Sequence, residues 1–149
     1  MANHYYIISE VQFYKDKNNK STLDFVSGTG IDLNVECKSK TPSLSEIKNI
    51  LLESGLETKV ILKENDRIEI MATQNDRVGL WLIFTEIKDE VQETNMFEVG
   101  RGSDPDLTIA FLKSLTRTHG NFLYYCDSGS MSLVTTAKDV EQIRNEIYN

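Results

Sequence analysis

Apolar residues alternate with others through the first part of the chain. Tyr5, Ile7, Val11 and Phe13 stand at alternate positions, interrupted by Tyr6 and Ile8, and predict a first strand over 5–14. A polar turn follows at 15–20, and residues 22–27 and 31–37 continue as an antiparallel meander broken at Gly28-Thr29-Gly30. In 31–37, Ile31, Leu33, Val35 and Cys37 alternate with Asp32, Asn34 and Glu36, the signature of a half-buried strand.

The period then changes. Ser43 with Glu46 three residues on makes a capping box after Pro42, and Leu44, Ile47, Ile50 and Leu51 fall on one helical face before Gly55. Three strands are expected at 58–63, 67–73 and 78–87, joined by the polar turns 64–66 and 74–76 as hairpins. The run 78–84, which contains Trp81, is apolar enough for a central strand covered on both faces. Periodicity fades over 88–103, although Met96, Phe97 and Val99 suit a short strand. Asp104 and Pro105 open a second helix, with Leu107, Ala110, Phe111, Ser114 and Leu115 as its buried face and Gly120 as its end. A last hairpin at 121–126 and 131–135 precedes a terminal helix over 137–148. The expected fold is a single α+β domain over 1–149, a largely antiparallel sheet of about seven or eight strands with three helices.

Composition narrows the function. The net charge is -7, which disfavours direct binding of nucleic acid. No apolar stretch approaches a membrane span, and the first ten residues lack the basic and apolar regions of a secretory signal, so a cytoplasmic protein is expected. Cys37 and Cys126, one on each of two strand-like segments, read as reduced core thiols there, with a disulfide between them as the alternative for an exported chain.

Chemical motifs are sparse. Gly28-Thr29-Gly30 lacks the third glycine and following helix of a dinucleotide loop and reads as a turn. Gly100-Arg101-Gly102-Ser103 leads to a helix N-terminus, but Asp104 and Asp106 already place carboxylates there. The sequence 127–132 reads as a hairpin turn rather than a modification motif. The four Cys and His residues have no zinc spacing, and there is no calcium loop, so neither metal nor cofactor is expected. An enzymatic reading would rest on His119, at a helix end, meeting Asp127 or Ser128; a structural or adaptor subunit is a second alternative.

Charge is unevenly placed. Residues 1–63 carry eight acids and eight bases, so the whole excess lies in 64–149. It is densest at 86–106, where Glu86, Asp89, Glu90, Glu93, Glu98, Asp104 and Asp106 face only Lys88 and Arg101. Such a segment reads either as a solvated acidic loop kept for solubility or as a docking surface that would steer a basic protein partner, helped by Phe97, Tyr124 or Tyr125 where exposed.

In size, acidity, single α+β domain and lack of catalytic motifs, the chain resembles the bacterial toxin-immunity proteins, including those of contact-dependent inhibition. The stretch 111–134, a helix ending in Gly120 and then a hairpin through Asn121-Phe122-Leu123-Tyr124-Tyr125, shares that character. The resemblance implies a cytoplasmic, non-catalytic protein that neutralises a cognate toxin, often by covering a basic nuclease site with an acidic surface. No catalytic residue is carried over.

Overall fold

Among the described residues, seven strands form one antiparallel sheet in which the first of them lies in the interior. The computed structural model describes residues 3–15 and 40–148. Its elements are β1 (Tyr5–Ser9), α1 (Glu10–Lys15), α2 (Leu44–Glu53), β2 (Glu57–Glu64), β3 (Arg67–Gln74), β4 (Arg77–Thr85), β5 (Phe97–Val99), α3 (Pro105–His119), β6 (Phe122–Cys126), β7 (Met131–Val134) and α4 (Val140–Tyr148). The strand order is β2-β3-β4-β5-β1-β6-β7, with every neighbour antiparallel. The expected α+β class is therefore present, with four helices among the described residues instead of three. The meander expected at 22–37, with Gly28, Gly30 and Cys37, lies outside the described residues.

The hairpins form as their turn residues direct. Asn65, Asn75 and Asp76 have positive φ, a conformation that Asn and Asp tolerate better than other side chains. Helices α2, α3 and α4 lie side by side on one face of the sheet. Beneath them the core gathers Ile7, Leu44, Ile47, Leu51, Ile70, Leu80, Leu82, Phe84, Leu112, Leu115 and Phe122, all essentially inaccessible. On the opposite face Phe13 of α1 joins Ile8, Leu123 and Met131 in a second, smaller cluster. Ile83 is buried on that side too, so β4 is largely covered on both faces, as its composition suggests.

Three details depart from the sequence reading. The first strand stops at Ser9, because the Ser9 hydroxyl accepts the Gln12 backbone N–H and caps a helical turn. The alternation of Val11 with Phe13 is thus two positions of a helix. The buried face of α3 is wider than expected and takes in Ile109 and Leu112, while Ala110 is exposed. This helix is flanked by α2 and α4 and so buries a broad arc. The last helix begins at Val140, three residues late, because the Asp139 carboxylate receives the Gln142 backbone N–H and makes Asp139 the cap.

Candidate functional site

The acidic loop between β4 and β5, residues 86–96, is held in place without belonging to a ladder. Its first anchor is Ile87, which is buried and donates its N–H to Asp66 O at 3.1 Å. The Asp89 carboxylate accepts the N–H groups of Val91 and Gln92, and the Gln92 side chain closes back onto Glu86 O and Lys88 N. The loop is then fixed to the start of α2. Ser45 N donates to Glu90 O at 2.8 Å, Thr94 donates twice to Pro42 O, and Lys48 Nζ lies 2.6 Å from Glu90 Oε1. The capping box anticipated at Ser43 and Glu46 sets this end of α2.

What the loop presents is an apolar side chain among carboxylates. Val91 is 80% exposed, and Asp89, Glu90 and Glu93 around it in sequence are exposed as well. Leu52, one helical turn beyond Lys48 on α2, is 64% exposed. Sequence reasoning passed over both residues. Leu52 sits off the stripe formed by Leu44, Ile47, Ile50 and Leu51, and that displacement is the signal that marks it.

The seven acids do not share one surface. Glu86, Asp89, Glu90 and Glu93 belong to the loop, and the Glu86 carboxylate accepts from the Asn95 amide. Glu98 is in β5, where its carboxylate lies 2.8 Å from His4 Nδ1. Asp104 caps α3, accepting from Asp106 N and Leu107 N, and Asp106 pairs with Arg144 of α4 at 2.6 Å. The cause of the division is β5, which carries the chain into the sheet interior between the loop and the α3 cap. Of the expected aromatic helpers, Phe97 and Tyr124 are buried in the core, whereas Tyr125 is half-buried and reaches the end of the loop, its hydroxyl donating to Met96 Sδ.

His119 does not pair with Asp127. Its Nε2 lies 2.8 Å from Glu46 Oε2 and its Nδ1 2.7 Å from Thr118 Oγ1, whereas Asp127 accepts the His4 backbone N–H. The antiparallel run of α3 against α2 causes this, bringing the end of α3 to the cap of α2. The Ser43 backbone N–H, with the neighbouring His119, holds the Glu46 carboxyl below its ordinary value of 4.5. A lowered folded-state value means that this carboxylate adds stability above its unfolded pKa and loses it as pH falls through the folded one. Glu46→Gln should therefore show a shallower acid loss of stability than the parent, read from urea unfolding at successive pH values. Equal acid slopes would contradict this role.

No helix among the described residues is long and apolar enough to cross a membrane, and no group of three His, Cys, Asp or Glu there is placed to hold a metal. No family model, curated protein or solved structure matches the chain.

Proposed function

We propose that the chain is a non-catalytic acidic binding protein that captures a basic protein partner through the 86–96 loop. The partner in this reading is a toxin domain, with a nuclease as the leading case, and the chain acts in the cytoplasm as its immunity protein. One observation carries the reading: an exposed Val91 on a loop fixed to the start of α2 and to the turn between β2 and β3, with Asp89, Glu90 and Glu93 around it. A preordered apolar anchor inside a charged rim suits protein docking, because little ordering entropy is lost on binding. The carboxylates attract a basic partner at long range and accelerate encounter.

The test begins with capture of the partner from the native cell and continues with its purified form. Joint reversal of Glu86, Asp89, Glu90 and Glu93 to lysine should lower the association rate at low salt by about tenfold or more. For the parent chain the rate should fall as salt rises, and that dependence should largely vanish in the variant. Unchanged kinetics in the variant would overturn the loop as the docking surface.

A further inference from the structure

The outer edge of β2 carries a second interaction surface. This strand ends the sheet, and among the described residues no strand pairs with its free side. It is eight residues long, and Val60 and Ile61 on it are 37% and 42% exposed. A strand edge of this length presents a row of backbone donors and acceptors ready for another strand.

The charges of the strand identify the occupant. Glu57, Lys59, Lys63 and Glu64 cancel, so β2 is a neutral strip on a molecule of net charge -7. Two copies of so acidic a chain repel over most of their surfaces and meet at least cost along such a strip. We infer that β2 pairs antiparallel with β2 of a second copy, continuing the sheet across a twofold axis.

The bulge selects the register. Val60 opposes Ile70, and Leu62 opposes Glu69, so these two residues point to opposite faces although they are two apart. Lys59 and Glu64, opposite Met71 and Arg67, lie on the face away from the helices; Val60 and Lys63, opposite Ile70 and Ile68, lie on the helix face. When Ile61 faces Leu62 of the second copy, Lys59 meets Glu64 twice across the axis on one face. On the other, the aliphatic stem of Lys63 runs along Val60. Moving the pairing so that Val60 faces Ile61 sets Glu57 against Glu64, like against like, and a single-residue slip opposes side chains from different faces. Lysines and a bulge ordinarily guard an edge against pairing. Here each lysine has a complementary neighbour in one register, and the bulge rejects the others.

Sedimentation equilibrium of the full chain tests this independently of any toxin. The parent should be a reversible dimer. Glu64→Lys and Lys59→Glu, both at exposed positions, should each weaken it about tenfold. The double swap should restore it, and circular dichroism should show all three variants folded. Three results would overturn the inference: a monomer at every concentration, a dimer indifferent to the single swaps, or a double swap that fails to restore association.

Discussion

Gly100→Ala should lower stability by ~2–3 kcal/mol, a fall in Tm of about 8 °C for a domain of this size. A Cβ at Gly100 would stand 2.4 Å from Trp81 Cδ2, 2.5 Å from Cε3 and 2.7 Å from Cγ. These atoms lie close to the root of the side chain, so a small terminal rotation cannot clear them. The ring is also held at its far side, where Nε1–H donates to Glu69 Oε1 at 2.9 Å. Glu69 is itself buried and joined to Arg67 at 2.8 Å. Backbone adjustment is opposed as well, because Gly100 N donates to Trp81 O at 2.7 Å. The indole must then leave its place and give up its bond to Glu69. Thermal unfolding followed with tryptophan fluorescence will report both effects, since Trp81 is the only tryptophan. Addition of Trp81→Leu should recover part of the loss caused by Gly100→Ala. A strictly additive double variant would show that the ring is not what excludes the methyl group.

Lys113→Met should lower stability by a similar ~3 kcal/mol, through a polar mechanism. The Lys113 ammonium donates to Thr135 O, Thr136 O and Lys138 O at 2.7, 2.9 and 2.5 Å. One cation on α3 thus gathers the carbonyls of the turn between β7 and α4. Methionine keeps the apolar stem but supplies no donor, leaving three aligned carbonyls to repel one another and draw in water. The position of α4 depends on this turn, reinforced by Lys138 with Glu146 at 2.7 Å and by Ser132 with the same carboxylate. Amide exchange in α4 should accelerate more in Lys113→Met than exchange in β3, which is remote from the turn. Uniform acceleration across both would place the effect in the common core instead.

The sequence made the local elements legible and left their arrangement largely hidden. Ser43 with Glu46, and Asp104 with Pro105, announce α2 and α3 because caps act within four residues. The hairpins of β2, β3 and β4 follow from Asn and Asp at positive φ for the same reason. The turn at Ser9 had a comparable signal in Ser9 and Gln12, masked by an alternation that continues across it. Long-range geometry has no such marker. The meeting of His119 with Glu46 spans 73 residues and follows from how α3 crosses α2. Likewise the acids of 86–106 look contiguous in the chain, yet Phe97 and Val99 thread a strand between them and divide the charge.

The interior position of β1 has a consequence for the order of assembly. β5 and β6 each pair with β1 and not with each other, so Tyr5–Ser9 is the seam between a four-stranded part and a two-stranded part. During synthesis this segment leaves the ribosome before either partner, and the second partner is complete only at Cys126. Such pairing over long sequence separations is slow, and the apolar Ile7 and Ile8 must wait for it without a finished sheet to enter. The window between the emergence of β1 and that of β6 is when a newly made chain is most exposed to aggregation.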